Sequence, residues 1–333
     1  MLPVILAILL VSISIPVEAQ EAPQLDVVKN QFIIESAKIA DMGMETAKNM
    51  LLSAFFENIT EGDVVRAIND AMTENGSSEY VEAFGVIVAS GEQSALPHGD
   101  TSDDSTNMIL QGEAVVVDLG ARYRGYCSDL TRTFFMGNAS QEMMDVYNIT
   151  LEAQAAGIEA VSAGVWARDV DKASRDVIEG YGYGENFIHA LGHGIGLYIH
   201  MPPTLSPSSN EMLFESGDMT VTIEPGIYLE GWFGVRIEDD VFVERTGYEV
   251  LTFFPKSLDD AILTPEEVTG EEPDVGMKEK EEVEIGSFFP TILVIIIILA
   301  VVMAIMFLRK RRSPYPKIQN TPSESESSTG HNR

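Results

Sequence analysis

Residues 114–135 read AVVVDLGARYRGYCSDLTRTFF, and residues 219–243 read MTVTIEPGIYLEGWFGVRIEDDVFV. Each is an apolar run, a Gly-containing turn and a second apolar run, the pattern of an antiparallel hairpin. Each also carries one carboxylate on either arm. Asp118 and Asp129 stand 11 positions apart, and Glu224 and Glu238 stand 14 apart. An isolated ionised carboxylate in an apolar strand is costly to bury, and two that face each other repel. A cation between them removes both costs. Between the hairpins runs His189-Ala-Leu-Gly-His193-Gly-Ile-Gly-Leu-Tyr-Ile-His200, in which glycines flank His193 and would let a ligand or metal approach the backbone closely. One imidazole with four carboxylates suits Mn, Fe, Co or Zn in a site for two divalent metal ions, and is too oxygen-rich for a structural zinc. Each residue also has an ordinary reading. Asp118 could cap a turn, Asp129 could pair with Arg132, Glu224 could sit at an exposed bend before Pro225-Gly226, and Glu238 could belong to a solvated run with Asp239 and Asp240. Five such residues, in order, on paired strands around one Gly-flanked histidine, favour the metal centre.

Around these hairpins, helices are expected over about 25–54, 61–75, 141–163 and 167–181, the first from the apolar stripe Val28, Phe32, Ile39, Met42, Met50 and Leu51. Strands are expected over about 83–90, 114–119, 125–136, 219–224, 226–230 and 235–243. Antiparallel hairpins with helices in groups give an α+β fold rather than an alternating parallel sheet.

The ends read differently. Residues 2–16 are apolar and uncharged and are followed by Val17-Glu18-Ala19, so 1–19 are read as a signal peptide, with an uncleaved N-terminal anchor as the alternative. Residues 288–308 carry no charge, long enough at about 1.5 Å per residue to cross a hydrocarbon core of about 30 Å, and Arg309-Lys310-Arg311-Arg312 follows at once. A basic cluster marks the cytoplasmic side of a span. The domain boundaries read are therefore 25–263 globular, 264–287 an acidic stalk, 288–308 a transmembrane helix and 309–333 a basic, then low-complexity, cytoplasmic tail. The catalytic part is expected outside the cytoplasm on a single-pass membrane anchor. A net charge of −31 excludes nucleic acid as a partner, because phosphates would be repelled. Cys127 is the only cysteine, so no intramolecular disulfide can form.

SGEQSALPHGD, VVVDLGARYRGYCSDLTRTFFMG, GHGIGL, TIEPGIY and GVRIEDDVFV stand in an order and wording similar to the pita-bread metallopeptidases, the superfamily of Xaa-Pro dipeptidases, aminopeptidase P and methionine aminopeptidases. The resemblance covers about 27–258 and is nearest to the proline-directed subgroup. It implies an α+β pita-bread fold with a pseudo-twofold antiparallel sheet. It implies that Asp118 binds one metal, that Asp129 and Glu238 bridge two, and that His193 and Glu224 complete the set of ligands around the other metal. It further implies that Glu224 shuttles a proton to the leaving amine after attack by an activated water, that His98 and His200 bind the scissile carbonyl, and that Arg236 supports the metal-binding carboxylates from behind. His189 matches a family histidine without a clear role.

The chain departs from the family where Tyr198-Ile199-His200-Met201-Pro202-Pro203-Thr204 stands in place of a stretch with two glutamates and a following arginine. In dipeptidases that arginine is thought to hold the substrate's C-terminal carboxylate. The implied function is thus an aminopeptidase for peptides with a free N-terminus and proline second. The alternatives are a broader or methionine-type aminopeptidase, a creatinase-like hydrolase, or a non-catalytic peptide-binding protein of the same fold. A homodimer is compatible with this reading.

Overall fold

The computed structural model describes residues 22–78, 83–99, 104–213 and 217–269, with only the backbone of residues 22–30 and 268–269. The expected signal peptide, the transmembrane helix, the tail and the stalk beyond 269 lie outside the described residues. Among the described residues, no helix is long and apolar enough to cross a membrane.

The chain forms two similar halves. In the first, helices α1 (Ala22–Ser53) and α2 (Glu61–Glu74) precede strands β1 (Ile87–Ser90), β2 (Ala114–Leu119), β3 (Arg122–Tyr123), β4 (Tyr126–Cys127) and β5 (Leu130–Met136). In the second, α3 (Gln141–Glu159) and α4 (Ala167–Gly180) precede β6 (Gly192–Ile195), β7 (Met201–Leu205), β8 (Met219–Ile223), β9 (Gly226–Leu229), β10 (Phe233–Arg236), β11 (Asp239–Glu244) and β12 (Gly247–Val250). Short α5 (Leu258–Ala261), β13 (Ile262–Leu263) and α6 (Glu266–Thr269) follow. The sheets run β1-β2-β5-β13 and β12-β11-β8-β6-β7, with β9 and β10 paired by themselves.

Two cores explain the halves. The Ala114–Val117 run alternates its faces: Val115 and Val117 meet Ile39, Met44, Leu51, Val64 and Ile68 of α1 and α2. Ile223, Val221 and Val241 meet Val146, Ala153, Ile158 and Val170 of α3 and α4. Thr60 and Asp63 close a reciprocal capping box at the start of α2, and the Ser140 hydroxyl caps α3.

A seam of hydrogen bonds joins the halves. Thr133 Oγ1 donates to the Arg236 carbonyl (2.9 Å) and accepts from Arg236 N–H (3.0 Å), while Glu238 N–H donates to the Thr131 carbonyl (3.1 Å). Arg132, fully buried, donates to the carbonyls of Thr131 (2.9 Å), Glu238 (2.5 Å) and Phe254 (2.6 Å) and to Asp239 Oδ1 (2.8 Å). Asp239 also takes Lys256 and Gln154. Arg132 therefore serves Asp239 rather than Asp129, and Asp239 and Asp240 are buried rather than part of a solvated run.

Several expectations shift. The strands expected over 125–136 and 235–243 are each interrupted, at Ser128-Asp129 and at Ile237-Glu238. Strands β6, β7 and β12 were not anticipated. Residues 264–267, expected to open an acidic stalk, adjoin the globular part: β13 just before them pairs in parallel with β5, Thr264 N–H donates to Glu267, and Glu267 meets Lys48 of α1 at 3.1 Å.

Candidate metal centre and active site

The two hairpins deliver their carboxylates at matched places. Asp118 lies one residue before the end of β2, and Glu224 directly follows β8. Asp129 and Glu238 each directly precede the return strand, β5 and β11. The interruptions of the two strands thus fall on these residues. A regular strand would alternate its side chains between faces; the break re-aims each carboxylate, and the seam between the halves brings both pairs together.

Ligand atoms of Asp118, Asp129 and Glu238 lie within 4.8 Å of one another. Asp118 Oδ1 and Glu238 Oε1 are buried with no hydrogen-bond partner among the described residues. Their other oxygens are fixed: Asp118 Oδ2 accepts from Arg236 Nη2 at 2.5 Å, and Glu238 Oε2 accepts from Thr131 Oγ1 at 2.6 Å. One oxygen on each carboxylate is therefore tethered and one is left open. Unpartnered buried acceptors are costly, so a cation is the fitting occupant.

The second group adjoins the first. His193 Nε2 lies 3.4 Å from Glu224 Oε1 and 3.8 Å from Asp129 Oδ2. His193 Nδ1 faces the Gly194 carbonyl at 3.1 Å. A carbonyl can only accept, so Nδ1 carries the proton and the Nε2 lone pair faces two carboxylates. A lone pair beside anions needs a cation between them; donor atoms on one ion at about 2.0–2.2 Å stand about 3–4 Å apart, the spacing seen. Thr222 Oγ1 holds Glu224 Oε1 at 3.1 Å and accepts the His193 N–H at 3.1 Å. Burial keeps His193 neutral, lowering its pKa to about 4.

Electrostatics agree with a cation site. Burial raises Asp129 well above the usual range, helped by Glu238, Asp118 and Glu224. Burial likewise raises Glu238, helped by Glu224 and Asp118, and pushes Glu224 up to about 7 against the pull of Arg236. Four carboxylates thus meet one imidazole and one guanidinium. The donor set of oxygens with one nitrogen fits Mn, Fe, Co or Zn.

Arg236 sits behind the cluster as expected. Its Nη1 donates to the Pro97 carbonyl (2.8 Å) and to Tyr228 Oη (2.9 Å), and its Nε to Thr131 Oγ1 (3.2 Å). Burial opposes its charge, but Tyr228, Asp118, Glu224 and Glu238 hold its pKa above the ordinary value. His189 lies on this side too: its Nδ1 faces the Ala190 carbonyl (2.7 Å), so Nε2 accepts from Tyr228 Oη (2.9 Å). Burial lowers His189 to about 4. A directional relay therefore runs Arg236 to Tyr228 to His189.

The five expected ligands, Arg236 and His189, with His98 and His200, line one cavity of about 780 Å³. Within it the His193 and His200 rings are 4.5 Å apart. Tyr228, Thr131, Thr222 and Asp240 were missed as supporting residues. Thr131 and Thr222 were detectable, since each lies two positions from a carboxylate along a hairpin arm; Asp240 accepts the Asp129 N–H at 3.0 Å and had no such signal. The glycines beside His193 serve a different purpose from the one expected. A Cβ on Gly192 would lie 2.0 Å from the Thr222 carbonyl oxygen, and one on Gly194 would lie 2.3 Å from that of Pro202. They admit neighbouring strands, not a ligand.

The family model for metallopeptidase family M24 matches residues 31–245. A Xaa-Pro dipeptidase of Pyrococcus furiosus is 42% identical over 240 residues, covering 70% of this chain and 67% of the relative. Among solved structures, a Xaa-Pro dipeptidase from Bacillus anthracis superposes with a TM-score of 0.64 at 42% identity, covering 71% of this chain and 63% of the other. An X-Pro aminopeptidase from Thermotoga maritima gives 0.63 at 37% identity, covering 73% and 66%. The chain spans about two thirds of the length of these relatives. At these identities the likeness shows the pita-bread fold.

Proposed function

The chain belongs to metallopeptidase family M24, and from that premise we propose that it is a metal-dependent aminopeptidase that removes the first residue from peptides with proline second. The observation that carries the reading is the cluster of Asp118, Asp129 and Glu238, with open oxygens on two of its members, in a cavity also lined by His98 and His200.

Asp118, Asp129, His193, Glu224 and Glu238 would hold two divalent cations. When bound, these would offset the carboxylate repulsion and lower the pKa of a water towards about 7. Arg236 and Thr131 fix the orientation of Asp118 and Glu238 so that no reorganisation is needed. Glu224 Oε1, held by Thr222 and adjoining the His193 ring, is placed to take a proton and pass it to the leaving amine. His98 and His200, both in the cavity lining, would donate an N–H to the scissile carbonyl oxygen. The carboxylates favour a cationic free N-terminus. Among the described residues lining the cavity, Arg236 is the only Lys or Arg, and four of its five N–H donors are held by Thr131, Pro97, Tyr228 and Asp118. No lining cation is left for a C-terminal carboxylate, so peptides longer than two residues fit the site.

The reading is tested by kcat/KM for Xaa-Pro, Xaa-Pro-Yaa and Xaa-Ala-Yaa peptides and their N-acetylated forms, after reconstitution with Mn, Co, Fe or Zn. Xaa-Pro-Yaa should lead by about 10-fold or more, and acetylation should cost at least as much. Equal cleavage of Xaa-Ala-Yaa rejects proline selectivity, and unimpaired cleavage of acetylated peptides rejects an aminopeptidase.

We further propose that this domain faces outward from a cell membrane. The uncharged stretch 288–308 followed by Arg309-Lys310-Arg311-Arg312 supports it. External protease on intact cells should degrade the catalytic domain and spare a C-terminal epitope; the opposite pattern reverses the topology.

A further inference from the structure

The cavity has two unlike sides. One carries the carboxylates and Arg236. The other is apolar: Phe84 and Ile199 line it and pack against the buried cluster Ala83, Cys127 and Ile195. Ile199 belongs to the loop between β6 and β7, which also carries His200. Just before them come Leu197 and Tyr198, 48% and 69% exposed, outside the lining.

Exposed apolar side chains are unremarkable singly. This pair is unusual in being held still. Arg122 Nη2 donates to the Leu197 carbonyl at 2.9 Å, Cys127 N–H to the Gly196 carbonyl at 2.7 Å, and Gly196 N–H to the Tyr198 carbonyl at 3.2 Å. The backbone of residues 196–198 is thus tied to the β3–β4 hairpin while both side chains face solvent. Arg122 spends a donor on that tie.

The geometry points to a docking ledge: Leu197 and Tyr198 bind an apolar side chain at the third residue of the peptide, just beyond the proline. This rests on the aminopeptidase reading above. The carboxylates draw the free amine inward, so the remaining chain must leave by the mouth. The Leu197–Tyr198 ledge is continuous, through Ile199 and His200, with the groups facing the scissile bond. The surface offered there is apolar and aromatic, with a net negative protein behind it, which disfavours an acidic third residue.

The test is the ratio of kcat/KM for Xaa-Pro-Phe-Yaa to that for Xaa-Pro-Gly-Yaa. In the unaltered protein it should be about 10, the scale of one partly buried apolar contact. Leu197→Ser and Tyr198→Ser should each lower it towards 1, whereas Tyr198→Phe should retain it. Because it is a ratio within one protein, partial unfolding does not change it. A ratio near 1 in the unaltered protein, or one that survives both serine substitutions, overturns the ledge. If the ratio is near 1 and sedimentation shows a dimer lost in the serine variants, the ledge serves a second copy of the chain instead. If the unaltered protein cleaves no Xaa-Pro peptide, the functional reading falls and the ledge with it; cleavage with a flat ratio removes the ledge alone.

Discussion

Asp129→Ala and Glu238→Ala should each lower kcat/KM by roughly 10³-fold or more and leave fewer than two metal ions per chain. Asp129 adjoins both Asp118 and His193, and Glu238 adjoins Asp118 and Asp129 and feels the charge of Glu224, so the loss of either should weaken both sides of the site. A metal-assisted hydrolysis draws several kcal/mol of transition-state stabilisation from its cations, and about 1.4 kcal/mol corresponds to tenfold in rate. The activity loss must be separated from misfolding, and electrostatics supplies the means. In the metal-free state each substitution removes one of several mutually repelling buried carboxylates. The metal-free variants should therefore unfold at or above the temperature of the metal-free parent. Full metal content with retained activity in either variant would eliminate the site.

Stripped of metal, the protein should lose stability as pH rises from 6.5 to 8. Asp129, Glu224, Glu238 and Asp240 all have raised folded pKa values, chiefly through burial. A raised carboxyl contributes stability that is fully present below its unfolded pKa and is lost as pH rises through the folded one. For Glu224 that window runs from 4.5 to about 7. Moving one group this far corresponds to about 3 kcal/mol. His189 and His193 act in the opposite sense. Burial lowers both from 6.5 to about 4, so their contribution is present above 6.5 and lost as pH falls. Between 4.5 and 6.5 the two sets oppose each other; above 6.5 only the carboxylates titrate. Calorimetric scans of chelated protein should show a Tm that declines over this range by roughly 2–4 °C for each kcal/mol lost, and metal-loaded protein should show little. A metal-free Tm that stays level or climbs from pH 6.5 to 8 would contradict the burial of these carboxylates.

Much of this was legible in the sequence because the hairpins violate a simple expectation: acids stand where strands should be apolar. The four helices were readable within a few residues, the first from its apolar stripe, and the structure closes α2 and α3 with Thr60 and Ser140. Strand β2 was readable because Ala114–Val117 is a short, β-branched apolar run; Ala114 joins one core, and Val115 and Val117 join the other. The hidden elements have physical reasons. Strand β6 is built of glycines, whose smallness serves the adjacent backbones and erases any strand propensity. Strand β7 carries two prolines, Pro202 and Pro203, directly after its first residue. The interruptions at Asp129 and Glu238 were invisible because nothing in a hydrophobic pattern marks where a strand must swerve. Tyr228 was hidden for another reason: its hydroxyl matters only through Arg236 and His189, which the fold brings to it from distant positions.

The seam between the halves also sets a clock. Asp118 and Glu238 are 120 residues apart along the chain, and neither can share an ion until β5 and β10 lie side by side. At a synthesis speed of about 5–20 residues per second, the ribosome needs roughly 6–24 s to make the second carboxylate after the first. During that interval the nascent first half presents Asp118 and Asp129 without their partners. An ion shared by the whole cluster must then follow synthesis of the second hairpin, and its capture certifies that both halves have been made and have found each other.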